Sequence, residues 1–154
     1  MMFHQAVARV TADQSFIPED GYLVHGFFSE GTWQVGFYNA DDDRITAYIV
    51  ADSIVRQTPE KVFKDDGAVP PLKIEDVVLS RQKAEQIAVS TLEKKHPGHP
   101  ASKQIVLVQS VGGVACFNIT VVTATLHMYN IKINASSGDV VSDVFDSIMS
   151  LKAE

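Results

Sequence analysis

The sequence predicts an α+β fold in which a helix packed on a small antiparallel sheet occurs twice, in the order α-β-β-β. The first observation is composition: the 154 residues are 45% hydrophobic and 21% charged, which is typical of a soluble globular chain with a buried core. The second is periodicity, because two segments have the apolar spacing of helices and several others alternate as strands do. A helix laid across a small sheet buries the apolar faces of both.

The first half of the chain is predicted to begin with a short amphipathic helix. Phe3, Ala6, Val7 and Val10 have helical spacing, and the helix must end before Pro18. Three strands are then predicted from alternating residues, at 21–28, 33–37 and 45–50, with a turn at 30–32 and a polar loop at 39–44.

The second half opens with the clearest helix of the sequence, from Ser80 to about Lys95. Ser80 is a good N-cap residue, and Pro97-Gly98 ends the helix. The apolar face consists of Ala84, Ile87, Ala88, Thr91 and Leu92. Strands are predicted at 104–111, 117–121, 129–134 and 140–145, the last as a short edge strand, with turns at 112–113 and 136–139.

This order of elements divides the chain into two units. Residues 1–57 hold the first, residues 72–154 hold the second, and residues 58–71 form a linker. The linker is predicted from a charged, turn-rich stretch at 61–67 and from Pro70-Pro71, since paired prolines favour an extended spacer. Each unit alone is small, so we expect the two to pack together.

Charge and hydropathy limit the classes of partner and the cellular locations that we expect for this protein. The net charge of −6 and the single dense basic group, Lys94-Lys95-His96, predict that the protein binds no nucleic acid. The uncharged stretch from Gln104 to Ile131 is broken by polar residues and by Gly112-Gly113, so no membrane span is predicted. The sequence as written predicts a cytoplasmic protein, or an envelope or secreted one if a leader precedes it.

The candidate chemical groups do not assemble into a catalytic or metal-binding pattern. His96 and His99 are close in sequence but lack further ligands, and the acidic run Asp41 to Asp43 is followed by Arg44 where a Ca²⁺ loop needs more oxygen ligands. Cys116 lies in an apolar stretch and is predicted to be a buried, inert thiol. We therefore predict no metal, no cofactor and no catalytic residue, and a protein that is not an enzyme.

Aromatic residues are the best candidates for binding. They are crowded in the first half, where they either fill the core or face outward as a surface that binds another protein. The candidates there are Tyr22, Phe28, Trp33, Phe37 and Tyr48. In the second half, His127 and Tyr129 would line a cavity between helix and sheet if the protein were instead a small-ligand carrier or an enzyme.

The second half resembles a PepSY domain over about residues 72–146. That family has a helix opened by Leu-Ser, matched by Leu79-Ser80, and an ending of the type Val-Asp-Ala-x-Thr-Gly-Glu-Val, matched by Ile133 to Val140. The first half lacks the glycine of this ending and resembles a degenerate PepSY or cystatin-like unit. The resemblance implies a non-catalytic domain, often of the cell envelope, that regulates or inhibits peptidases.

The leading hypothesis is therefore a non-catalytic module that binds a protein or peptide, with a peptidase as one such partner. Binding would use the sheet surface or an exposed strand edge, and a sheet edge would also permit a homodimer. The alternative is the small-ligand protein or enzyme with an NTF2- or cystatin-like cavity between helix and sheet.

Overall fold

Residues 1–62 and 69–149 of the chain are described by a computed structural model. The helices are α1 (Phe3–Ala12) and α2 (Arg81–Lys95), and short 3-10 turns cover Pro18–Asp20 and Ile74–Asp76. The strands are β1 (Tyr22–Ser29), β2 (Thr32–Asn39), β3 (Arg44–Val50), β4 (Ile54–Arg56), β5 (Glu60–Lys61), β6 (Ala101–Val111), β7 (Val114–Thr123), β8 (His127–Asn134) and β9 (Val140–Ser147).

Both predicted helices form, and their ends follow from local chemistry. The Ser80 hydroxyl accepts a hydrogen bond from the backbone N–H of Lys83 at 3.1 Å, which satisfies one of the free donors in the first turn of α2. Ala84, Ala88 and Leu92 form the buried stripe of α2. The buried stripe of α1 consists of Phe3, Ala6 and Val10, as the apolar spacing predicts.

The strands of the described residues form one antiparallel sheet in the order β4-β3-β2-β1-β6-β7-β8-β9, with β5 beside β3. The two halves are joined where β1 pairs with β6. The predicted tandem arrangement of two helix-and-small-sheet units is therefore wrong, whereas the coarser prediction of an α+β protein with an antiparallel sheet is confirmed. The physical reason is that separate sheets would leave β1 and β6 as long unpaired edges, and pairing them satisfies those backbone groups.

Two short strands were missed from the sequence. β4 has three residues and β5 has two, which is too short for an alternating pattern to be recognised. β5 lies inside the predicted linker, whose residues 63–68 lie outside the described residues. The domain boundaries after residue 57 and before residue 72 stay a prediction.

Two hairpin turns consist of two consecutive residues with positive φ. Glu30 and Gly31 have φ values of 52° and 80°, and Gly112 and Gly113 have φ values of 58° and 83°. Two consecutive residues with positive φ make the tight connection whose twist matches that of the flanking antiparallel strands. The turns therefore set the registers of β1 with β2 and of β6 with β7.

The two helices lie on the same face of the sheet, and one continuous core lies beneath them. The register across the junction shows this: Gly26 of β1 pairs with Val35 of β2 and with Val108 of β6, and Val108 pairs with Phe117 of β7. Val35, Val108 and Phe117 are all buried in the core that α1 and α2 cover. The opposite face, here called the uncovered face, carries His25, Phe27, Gln34, Ile49, Leu107, Asn118 and Lys132.

Gly26 lets α1 approach the sheet closely. A Cβ atom built on Gly26 would lie 2.2 Å from Cε1 of Phe3, so the Phe3 ring occupies the place of a side chain. The same ring packs against Trp33 with a centroid separation of 4.9 Å. The indole N–H of Trp33 donates a hydrogen bond to the carbonyl oxygen of Met1 at 3.0 Å.

Gly26→Ala should destabilise the protein by about 1–3 kcal/mol, because the added methyl group overlaps the Phe3 ring. Urea unfolding followed by far-UV circular dichroism would measure the change. Removing the ring should relieve the overlap, so the Phe3→Ala/Gly26→Ala double variant should lose less stability than the two single variants together. A Gly26→Ala variant as stable as the native protein would contradict this packing.

Candidate functional site

Three of the predicted binding aromatics are core residues. Trp33, Phe37 and Tyr48 have at most 4% of their surface exposed. Phe37 and Tyr48 both pack against Phe16, with centroid separations of 5.1 and 6.0 Å. These rings therefore fill the space between α1 and the sheet and present no surface to a partner.

The two remaining aromatics of the first half are half-buried and already partnered. The Phe28 ring lies on the helix side of the sheet, where the Arg81 guanidinium carbon is 3.8 Å from its centroid. The Tyr22 hydroxyl donates a hydrogen bond to the carbonyl oxygen of Val69 at 2.6 Å. Both residues tie distant parts of the chain together.

Tyr48 belongs to a polar cluster with the buried Asp20 and the exposed Arg56. Its hydroxyl donates to one carboxylate oxygen of Asp20, and the Arg56 guanidinium is 3.0 Å from the other. Burial acts to raise the pKa of Asp20, but the hydrogen bonds from Tyr48 and Arg56 outweigh it, and the pKa lies below its usual value. Asp20 lies in the Pro18–Asp20 turn, Tyr48 lies on β3 and Arg56 lies on β4. The hydrogen bonds of the cluster therefore join this turn to both strands.

The predicted pair His127 and Tyr129 lies beside β9, and the ring of Phe145 occupies the space between them and the end of α2. Phe145 is stacked between His96 and His127, with centroid separations of 4.1 and 4.9 Å and interplanar angles of 8°. His99 also packs on Phe145, at 5.0 Å. We call these five residues the Phe145 cluster. The sequence identified four of its members separately, but not the phenylalanine at its centre.

Two histidines of this cluster have local polar partners. The Nδ1 atoms of His99 and His127 lie 2.6 and 3.2 Å from the hydroxyl oxygen of Thr125, so each ring has a local polar partner. Within residues 1–62 and 69–149, no group of three or more His, Cys, Asp or Glu side chains is placed to hold a metal ion.

Asp143 forms the second anchor of β9. Its Oδ2 accepts a hydrogen bond from the buried Tyr129 hydroxyl at 2.7 Å and lies 2.8 Å from the Lys95 ammonium at the end of α2. The hydrogen bonds from Lys95 and Tyr129 lower the pKa of Asp143. Burial and this hydrogen bond raise the pKa of Tyr129, so its hydroxyl remains a donor at neutral pH.

β9 is an edge strand, as predicted from the sequence, and is longer than expected. Within the described ranges it pairs only with β8. A β-bulge lies at Val141, and the stretch from Ser142 to Ser147 then pairs regularly with β8. In an antiparallel edge strand, every second residue directs its N–H and C=O groups away from the sheet. Val144 is 56% exposed along this edge.

The opposite edge of the sheet is protected differently. It is formed by β4, which has three residues, and the two-residue β5 runs beside the far end of β3. Short edge strands offer few free backbone groups, which limits pairing with another chain. Of the two edges in the described structure, the β9 edge is therefore the one that can pair with a further strand.

The other chemical candidates are structural or remain on the surface. Cys116 is buried, and burial raises the pKa of its thiol, which makes it a poor nucleophile. Asp41 and Asp42 are exposed in the turn before β3, and the Asp43 carboxylate accepts a hydrogen bond from the Tyr38 hydroxyl.

Comparisons with known proteins support the fold. The chain matches no family model and no curated protein. Its fold is similar to that of a putative lipoprotein from Clostridium difficile 630, with a TM-score of 0.66 and 15% sequence identity, over 93% of this chain and 92% of that one. At this identity the likeness shows a shared fold alone, and the PepSY resemblance stays a prediction.

Neither described helix combines the length and the apolar character that crossing a lipid bilayer requires.

Asp143→Asn should lower the free energy of unfolding at neutral pH by about 1–3 kcal/mol, because it removes a charged acceptor from two hydrogen bonds. Since the pKa of Asp143 is lowered in the folded state, its contribution is present above the usual carboxyl range and is lost as the pH falls through the folded pKa. The difference in the free energy of unfolding between the native protein and the variant should therefore become smaller in acid. Urea unfolding at neutral pH and at about pH 3 would measure it.

Asp146 provides the matched control, because it is an exposed aspartate on the same strand. Asp146→Asn should change stability little at either pH. If Asp143→Asn lost as much stability in acid as at neutral pH, this result would contradict the anchoring role of the ionised carboxylate.

Proposed function

We propose that this protein is a non-catalytic binding module that holds an extended segment of a polypeptide partner along the outer edge of β9. The observation that carries the proposal is the contrast between the two sheet edges, one made of two very short strands and the other of the eight-residue β9. Adding a strand to an exposed edge is a common mode of peptide recognition, in which backbone hydrogen bonds supply much of the affinity.

The anchoring of β9 supports this role. Asp143 is held by Tyr129 and Lys95, and Phe145 is held between two histidine rings. Both side chains point toward the helix side, so they fix the strand without covering its outer edge. A strand that is already ordered costs less conformational entropy when a partner pairs with it.

The charges of β9 favour a basic segment as the occupant. Asp146 in the strand and Asp139 immediately before it are exposed, and the strand contains no lysine or arginine. The charge of Asp143 is already paired with Lys95. Val144 is exposed on the same face as Asp146 and offers an apolar contact for a β-branched side chain of the partner. A second copy of this chain would place further aspartates near these, so a segment that carries a basic and a β-branched residue two positions apart, and therefore on one face, is the better match.

The cell envelope is the proposed location of this binding. The support is the fold likeness to the Clostridium difficile protein described as a lipoprotein. The PepSY resemblance of residues 72–146 makes a peptidase one partner to test, by mixing the purified proteins and measuring binding and residual peptidase activity.

A short peptide that repeats Val-Thr-Lys-Thr, which places Val and Lys on one face of the added strand, should bind the native protein. Val144→Lys should weaken that binding by roughly tenfold, or about 1.4 kcal/mol. The added lysine repels the basic peptide and interferes with the free edge. Fluorescence anisotropy with a labelled peptide would measure the dissociation constants. A matched peptide with Glu in place of each Lys should bind more weakly to the native protein.

Val55→Lys is the control, because Val55 is 50% exposed on the opposite edge strand β4. The Val55→Lys variant should bind the basic peptide with the same affinity as the native protein. Equal losses in both variants, or no binding of the basic peptide, would contradict the proposal. If the native protein self-associates and Val144→Lys abolishes this association, the occupant of the β9 edge is a second copy of the chain and not a peptide.

A further inference from the structure

A cleft of about 410 Å³ lies on the uncovered face of the sheet, away from β9. Its floor is formed by side chains of β1, β2 and β3, and its outer wall by the segment from Gln57 to Val62. The volume is within the range of clefts that bind small molecules. This cleft is on the face opposite to the cavity that the sequence assigned to His127 and Tyr129.

The outer wall is fixed to the sheet by backbone hydrogen bonds. The N–H of Gln57 donates to the carbonyl oxygen of Ala47 at 2.8 Å, and the N–H of Val62 donates to that of Asp43 at 3.3 Å. Between these two points, β5 pairs with β3. The cleft is therefore a built feature of the fold, held at both ends of its wall.

His25 is placed in the cleft by a glycine. A Cβ atom on Gly36 would lie 2.2 Å from Cε1 and 2.5 Å from Nε2 of the His25 ring, so the ring lies directly over Gly36. Burial lowers the pKa of His25, which keeps the imidazole neutral at neutral pH, with one nitrogen donor and one nitrogen acceptor. No residue in the described ranges makes a hydrogen bond to this ring.

The remaining lining combines apolar and polar groups without net charge. Ile45, Ala47 and Val62 provide apolar surface. Gln34, Gln57 and Thr58 provide amide and hydroxyl groups, which both donate and accept hydrogen bonds. The opposite charges of Glu60 and Lys61 cancel. An ion entering the cleft would lose hydration without gaining a net counter-charge, whereas a neutral polar molecule would not bear that cost.

We infer that this cleft binds a small uncharged molecule that has an apolar body and an amide-like group, with His25 and Gln34 as its hydrogen-bonding partners. The inference rests on the shape and chemistry of the cleft and is independent of peptide binding at β9.

Three aromatic probes of nearly equal size would test the inference, because benzamide is neutral, benzoate is an anion and benzylamine is a cation. Two-dimensional NMR of the full chain would follow the ring signals of His25 and the methyl signals of Ala47 and Val62 during each titration. Benzamide should shift these signals in a saturable way, and both ions should bind at least roughly tenfold more weakly, as the uncharged lining requires.

Variants on the same face would assign the interaction to His25. His25→Ala should weaken benzamide binding by roughly tenfold, and His25→Gln, which retains a donor and an acceptor, should restore part of it. Asn130 lies on the uncovered face outside the cleft, so Asn130→Ala should leave the affinity for benzamide unchanged. The inference is overturned if benzamide leaves the cleft signals unmoved, if the ions bind as well as benzamide, or if His25→Ala binds benzamide like the native protein.

Discussion

The pairing of β1 with β6 is the interaction on which the rest of the structure depends. Its four register pairs are His25 with Gln109, Gly26 with Val108, Phe27 with Leu107 and Phe28 with Val106. They join two groups of strands into one sheet. The strands that α1 covers and the strands that α2 covers therefore share one continuous core. Gly26 lies at this junction and also receives the Phe3 ring of α1, so α1 approaches the sheet closely where the halves join.

The same pairing decides which surfaces remain for function. With both helices on one face, the other face and the two outer edges are left for partners. The edge at β4 is short, whereas the edge at β9 is long and is held in place by Asp143 and Phe145. The cleft at His25 lies on the uncovered face near the short edge. The proposed peptide site and the inferred small-molecule site are therefore spatially separate.

Local patterns predicted the elements well because their causes are local. α2 follows from the Ser80 cap, the apolar spacing and Pro97-Gly98, and the β6–β7 turn follows from Gly112-Gly113. The β1–β6 pairing could not be predicted, because it joins residues far apart in sequence and no nearby residue specifies it. Phe145 could not be recognised as the centre of a cluster, because its partners come from the end of α2, a loop and β8. For His25 a clue was present: glycine inside a strand, here Gly36, often marks the close approach of another group.

Amide hydrogen exchange, measured residue by residue by NMR, tests the continuous sheet and its free edge together. A β1–β6 pair in the centre of the sheet predicts slow exchange for the amides of Gly26 to Phe28 and of Val106 to Val108, as slow as those of β7. Every second amide between Ser142 and Ser147 should exchange much faster. Exchange at β1 and β6 as rapid as at the outer edges would contradict the single sheet and, with it, the account of the protein's binding surfaces.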